Sequence, residues 1–213
     1  MFVKQFEMGG ERNFGYLIAD QRTRKAVVVD PSFEPERVVA FAREKGYKII
    51  YVLVTHDHPD HTNGNAAIER LTGVRPLLYG DTDRQTSVRV EDGASFHVGD
   101  LTVRIIHTPG HTKDSICIQV GDALFTGDTL FVGKVGGTGC DSEARAEYDS
   151  LHEKILALPD RTRVFPGHNY GTALESTIGV ERETNPFLVQ PDFAAFVALK
   201  RNWLAYKEEH GIV

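Results

Sequence analysis

Lys48-Ile49-Ile50-Tyr51-Val52-Leu53-Val54 runs without a break into Thr55-His56-Asp57-His58-Pro59-Asp60-His61. The first stretch is rich in Ile and Val and stops at a polar turn, which predicts a buried strand over 48–54. The second is too dense in imidazole and carboxylate for an ordinary core, where each group would need its own hydrogen-bond partner. A metal ion supplies such partners, and imidazole with carboxylate suits zinc or iron. An extended segment entering a turn points His56 and His58 to one side. Asp60 and His61, beyond the bend, are then free to face a second ion, so the spacing suggests two metals.

The same plan, an apolar strand delivering a ligand to a glycine-containing turn, recurs downstream. It is seen in Ile106-His107-Thr108-Pro109-Gly110-His111-Thr112, in Phe125-Thr126-Gly127-Asp128 and in Phe165-Pro166-Gly167-His168. Glycine beside a ligand lets backbone pack closely around an ion. The candidate metal ligands are therefore His56, His58, Asp60, His61, His111, Asp128 and His168, with Asp60 and Asp128 the carboxylates expected to take part in catalysis.

Working outward, strands are expected at 13–19 and 25–30, a helix at 34–45, a helix at 62–71 and a short strand at 76–79. Residues 81–93 read as loop. Short strands then follow near 95–98, 101–107, 115–120 and 123–126, punctuated by Gly99-Asp100 and Gly121-Asp122, which suit tight hairpin turns. The stretch 130–142 carries Gly133, Gly136, Gly137 and Gly139 and reads as a long loop, of the kind that forms a binding lid beside a site. A helix at 143–158, a strand at 163–166 and a helix at 191–209 complete the reading. The amphipathic start, Met1 to Glu7, receives no assignment.

The chain has 213 residues, 41% hydrophobic and 25% charged, which fits a single domain over 1–213 with 171–213 as a helical C-terminal extension. A net charge of −6 without a clustered basic face argues against nucleic acid as a partner. The longest apolar run, Ile49 to Val54, is far below the roughly 20 residues of a membrane span. No secretory signal is visible at the start, and the cytoplasm is the default compartment. Cys117 and Cys140 have no paired spacing and read as free thiols, the former in the core and the latter in a loop. His97, His152 and His210 read as surface residues, and Lys200 and Arg201 as a solvated helix face. Asp30 reads as a loop-anchoring carboxylate, Asp57 as a turn carboxylate or a partner of a ligand, and His107 as a strand-end histidine or such a partner.

THDHPDH, TPGHT, TGD and PGH, in that order, resemble the metallo-β-lactamase superfamily, and the resemblance runs through nearly the whole chain. It implies a four-layer αβ/βα sandwich, an α/β fold, with the metals at one edge of the two sheets. It also implies that His56, His58 and His111 hold one ion, that Asp60, His61 and His168 hold the other, and that Asp128 bridges them. True β-lactamases of this fold typically carry Arg in place of His61 and Cys in place of Asp128, and flavodiiron proteins Glu in place of His58.

Within the superfamily, Ser176 to Leu188, Gly127 to Val132 and Tyr170 resemble the glyoxalase II group, which hydrolyses the thioester of 2-hydroxyacyl-glutathione. That resemblance implies a hydroxyacylglutathione hydrolase-like enzyme with a small-molecule thioester or activated ester as substrate. Tyr170 would then be a substrate contact, with Lys134 as a second one. Gly136-Gly137-Thr138-Gly139 replace the group's glycine-lysine-aromatic segment, and Lys134 lies three positions early. Leu151 to Ile155 and Ser176 to Glu183 also resemble the persulfide dioxygenases, whose single iron would use only His56, His111 and Asp128. A non-catalytic, metal-stabilised binding module is the third reading. The expected cofactors are two divalent ions, zinc first, with iron or manganese as alternatives. A hydroxide shared between ions about 3.5–4 Å apart would attack the carbonyl, and a thiol of pKa about 8.5 would leave without needing a strong acid.

Overall fold

Alternating side chains along the strands sort the apolar residues into separate cores, and this sorting sets the layers. The computed structural model describes residues 1–211. In the first half, β1 (Phe2–Glu7), β2 (Phe14–Ala19), β3 (Lys25–Val29), β4 (Lys48–Leu53) and β5 (Pro76–Leu77) form a five-stranded sheet in that order. β1 to β3 pair antiparallel, and β3, β4 and β5 parallel. The second half contributes β6 (Ser95–Val98), β7 (Leu101–His107), β8 (Ile116–Val120), β9 (Ala123–Gly127), a hairpin of β10 (Leu130–Phe131) and β11 (Lys134–Val135), then β12 (Arg163–Pro166) and β13 (Ser176–Thr177). Its main sheet is six-stranded, in the order β13-β12-β9-β8-β7-β6.

On β3, Val27 and Val29 face the second sheet, while Ala26 and Val28 face helices. On β8 and β9, Ile116, Ile118 and Phe125 face the first sheet, whereas Cys117 and Leu124 face the opposite way. Helices α1 (Pro35–Glu44), α2 (Pro59–Thr62) and α3 (Asn65–Thr72) follow strands of the first sheet. Val38, Val39 and Ala42 of α1 and Ile68 of α3 close its outer core. Helix α4 (Asp141–Asp149), the π-helical turn Ser150–Ile155, α5 (Ile178–Thr184), α6 (Phe193–Arg201) and α7 (Trp203–His210) cover the other sheet. The result is the expected four-layer αβ/βα sandwich, with cores between the sheets and under each helical layer.

Several elements differ from the expectation. Phe2–Glu7, unassigned from the sequence, form an edge strand. The helix expected over 62–71 breaks into α2 and α3 at Asn63-Gly64. A β-carbon on Gly64 would lie 1.8 Å from the Pro31 carbonyl oxygen, so the chain closes against the first sheet at this break. The long loop expected at 130–142 begins as a hairpin, with Leu130 opposite Val135 and Gly133 at φ +71° in its two-residue turn.

The helix expected over 143–158 starts at Asp141 and loosens to π winding at Ser150, whose hydroxyl donates to the Pro109 carbonyl over 2.8 Å. The helix expected over 191–209 is broken at Asn202, whose side chain bonds the Ala198 carbonyl and competes with the helical ladder. Within 171–213, Ser176-Thr177 add a strand to the sheet, and Ile178, Phe187, Phe196 and Val197 enter the core. His152 is half-buried, its ring tilted against Tyr148 with centroids 4.1 Å apart, rather than on the surface. No described helix is long and apolar enough to cross a membrane.

Candidate metal centre

Strands β4, β9 and β12 end at one edge of the sandwich, and each hands its next residues to the same place. His56 and His58 follow β4, Asp128 follows β9, His168 follows β12, and His111 comes from the loop after β7. Potential ligand atoms fall into three mutually close groups: His56, His58 and His111; His56, His61 and Asp128; and Asp60, His61 and His168. Every metal ligand expected from the sequence is in this cluster. Asp57 is exposed and outside it.

His58 Nδ1 lies 3.0 Å from His56 Nε2 and 3.1 Å from His111 Nε2. His61 Nε2 lies 3.2 Å from His168 Nε2, and Asp60 Oδ2 is 3.5 Å and 3.3 Å from those two nitrogens. Asp128 stands between the triads, its Oδ2 3.6 Å from His111 Nε2 and 3.3 Å from His168 Nε2. The nitrogen of each ring that faces away from the cluster is, with the exception of His58, held by an acceptor. His61 Nδ1 bonds Asp30 Oδ2 at 2.9 Å, His111 Nδ1 the Gly137 carbonyl at 2.8 Å, and His168 Nδ1 the Glu11 carbonyl at 3.0 Å. His56 Nδ1 is 3.1 Å from Thr55 Oγ1, whose proton is already given to Asp30. Acceptors on that side fix the protons there and leave the Nε2 lone pairs facing inward, as metal-ligating histidines require.

Electrostatics fit a cation at this place. Burial, reinforced by the neighbouring imidazoles, lowers His56 to about 2, so it is a neutral donor. His111 is also lowered by burial, which outweighs the pull of Asp128. Burial opposes protonation of His61 as well, but the Asp30 and Asp128 carboxylates raise it well above its ordinary value. His168 is raised against its own burial by Asp128. Burial would raise the Asp128 carboxyl, yet His168 and His61 hold it well below the usual carboxylate range. Asp128 Oδ1 is buried without a hydrogen bond, with His61 Nε2 3.4 Å away. An orphaned carboxylate oxygen amid converging nitrogen lone pairs is the donor set of a divalent ion, and the residues present fit one.

Glycines make the approach possible. A β-carbon on Gly167 would lie 2.4 Å from Asp128 Oδ1 and 3.0 Å from His61 Cε1. On Gly127, at φ +48°, it would lie 2.5 Å from Thr55 Oγ1.

Residues that the sequence reading missed complete the shell. Asn13, 1% exposed, donates to Asp60 Oδ2 at 2.9 Å and to the Asp60 carbonyl at 3.2 Å. Glu11 supports His168 through its carbonyl and accepts the Tyr170 hydroxyl at 3.2 Å. Nothing in the local sequence marks either one, because both act on ligands distant in the chain. Asp30 has a larger part than loop anchoring. It takes the Thr55 amide and hydroxyl as well as His61, and so ties both ends of the histidine-rich turn. His107 is a satisfied strand-end histidine, bonded to the Lys113 carbonyl and stacked on Tyr79.

Tyr170 stacks in parallel on His168 at 4.6 Å, and Lys134 Nζ lies 5.0 Å from the Tyr170 ring centre, so both candidate substrate contacts stand at the rim of the cluster. The Ser176–Leu188 stretch supports the segment after Asp128: Glu181 accepts the Gly133 amide at 2.9 Å, and Asn185 donates to the Lys134 carbonyl at 3.3 Å. Behind that segment lies a cavity of about 350 Å³ walled by Lys134, Thr138, Cys140, Phe187, Arg201 and Trp203, among others. Lys200 departs from the expected solvated face, being largely buried in a pair with Glu147, whereas Arg201 lies on that face in an exposed pair with Asp141.

The model of the metallo-beta-lactamase superfamily matches residues 9–87 and 77–168. A hydroxyacylglutathione hydrolase of Polaromonas sp. is 39% identical over 178 residues, covering 80% of this chain and 67% of that protein. The mitochondrial persulfide dioxygenase ETHE1 of Homo sapiens is 33% identical over 183 residues, covering 82% and 71%. The crystal structure of ETHE1 from Myxococcus xanthus superposes with a TM-score of 0.86 at 32% identity, covering 95% of this chain and 91% of that one.

Proposed function

Since the chain belongs to the metallo-β-lactamase superfamily, we propose that it is a metal-dependent hydrolase of small-molecule thioesters that works with two divalent ions, zinc in the first place. The observation that carries this reading is the presence of two separate triads, His56/His58/His111 and Asp60/His61/His168, each with its own outer support and with the orphaned Asp128 carboxylate between them. Two complete triads with separate outer supports favour two ions over one.

Divalent ions in such a site supply Lewis-acid polarisation of a carbonyl and hydroxide at neutral pH. The chain's residues provide the rest. Asp128 would serve both ions, and Asn13 and Asp30 would hold Asp60 and His61 in line with it. Tyr170 and Lys134 would border the bound acyl thioester, and the cavity beyond Lys134 has room for the thiol half. Burial together with the nearby Glu11 and Asp128 carboxylates holds the Tyr170 phenol protonated well beyond neutral pH, and its proton is given to Glu11, so substrate would meet the ring and the oxygen's remaining lone pair. Asp57 is exposed and outside the cluster, as a turn carboxylate is, and so offers no proton to a leaving group. A thiolate, with a pKa of about 8.5, leaves without a general acid, whereas an amine does not.

The likeness to ETHE1, nearly complete in length, favours a second reading, a persulfide dioxygenase with one iron. The separating experiment is thiol release from acyl thioesters of glutathione, coenzyme A and simple thiols, alongside oxygen uptake with a persulfide in iron-loaded protein. The proposal expects thiol release, with Asp128→Ala lowering the rate by about 100-fold or more. Oxygen uptake without thiol release from any thioester contradicts it.

A further inference from the structure

Glu147 of α4 is 1% exposed, far from the surface position expected of a carboxylate, and it lies next to the candidate metal centre without belonging to it. It sits wedged between the loop that bears His111 and the glycine-rich segment after β11. A β-carbon on Gly110 would lie 2.4 Å from Glu147 Cα, and one on Gly136 would lie 3.0 Å from Glu147 Oε1 and 3.0 Å from His111 Cβ. Only glycine at both positions permits this approach. Glu147 Oε2 pairs with Lys200 of α6, whose side chain is 11% exposed, and Oε1 has no hydrogen-bond partner. The same Lys200 Nζ donates to the Gly136 carbonyl at 2.7 Å. The next carbonyl, that of Gly137, is the acceptor for His111 Nδ1.

Removing this pair from water is costly, and its desolvation offsets much of the attraction, so stability alone is a poor reason for its presence. Its geometry offers another. We infer that the Glu147–Lys200 pair is a positioning device that presses Gly136-Gly137 onto His111 and so couples the C-terminal helix α6 to the affinity of the His56/His58/His111 triad. Glu147 and Lys200 touch no ligand side chain by hydrogen bond; they act through the Gly136 carbonyl, one peptide away from the group that orients His111.

The inference rests on the metal-centre reading but not on the identity of the substrate, and its test reads metal binding rather than turnover. Zinc affinity is measured by competition with a chromophoric chelator. A His168→Ala background breaks Asp60/His61/His168 and keeps His56/His58/His111, and a His58→Ala background does the reverse; the His56/His61/Asp128 group is common to both, so the comparison between backgrounds isolates the outer triads. Into each goes Lys200→Met, and separately the double change Glu147→Gln with Lys200→Met, which leaves no unpaired buried charge. The expected result is a loss of about tenfold or more in the first background, the scale seen when an outer partner of a ligand is removed. In the second background the affinity stays within about twofold. Cobalt(II) absorption of the first triad shifts in the same variants.

Unchanged affinity in folded variants overturns the inference. So does an equal loss in both backgrounds, which marks a general structural role, and so does failure of the double variant to fold. If wild-type protein binds no zinc at all, the metal-centre reading falls instead, and that result is distinct from any ratio between variants.

Discussion

At the residue scale, the ligands were legible because they are chemically conspicuous, and their supports were not. Three histidines and two aspartates in six residues announce a metal from local sequence alone. Asn13 and Glu11 are ordinary polar residues that acquire a role only when β2 is laid beside the end of β12, as the Asn13–His168 bridge shows. The two triads also differ in what a proton does to them. His61 and His168 have raised proton affinity, so an ion entering their triad must displace protons, and its apparent affinity falls as pH drops below those raised values. His56 and His111 are lowered, so their triad feels acidification less. In the two single-triad backgrounds, zinc affinity between pH 8 and 5.5 is therefore expected to fall more steeply for Asp60/His61/His168, by about tenfold per pH unit for each proton displaced. Asp30→Ala removes the main source of the rise at His61 and flattens that slope, while lowering the plateau affinity by about 10- to 100-fold. Parallel pH profiles for the two triads contradict this assignment.

At the element scale, the strands that were read were placed nearly to their ends because their apolar runs are almost continuously buried and their turns carry glycine. Helices were read less well. The break at Asn63-Gly64 and the π turn at Ser150 depend on tertiary contacts that no helical periodicity encodes, the Pro31 carbonyl and the Pro109 carbonyl reached by Ser150, while the break at Asn202 accompanies a local side-chain bond to the Ala198 carbonyl. The hairpin of β10 and β11 was hidden within a glycine-rich stretch because its strands are only two residues each. The break at Gly64 holds α3 against the loop that begins at Asp30, so Gly64→Ala is expected to lower stability by about 1–3 kcal/mol through overpacking against rigid backbone. The same variant is expected to weaken zinc binding at Asp60/His61/His168. Urea denaturation of the metal-free protein and chelator competition check the two effects, and an unchanged denaturation midpoint rules the first out.

At the scale of the whole molecule, the order of the four ligand-bearing motifs was enough to place the fold, because the sandwich is what brings the ends of β4, β9 and β12 to one edge. The C-terminal stretch was read as an appended helical piece, yet it supplies a strand to the six-stranded sheet and holds the segment after Asp128 through Glu181, Asn185 and Lys200. Those contacts run between residues far apart in the chain and leave no local signature. The central claim, a site built for two ions, is tested most directly by the metal content per chain of protein purified without added metal. Two divalent ions per chain in the wild type, falling to one in His168→Ala, is the predicted result. One ion per chain in the wild type, undiminished by His168→Ala, would contradict it.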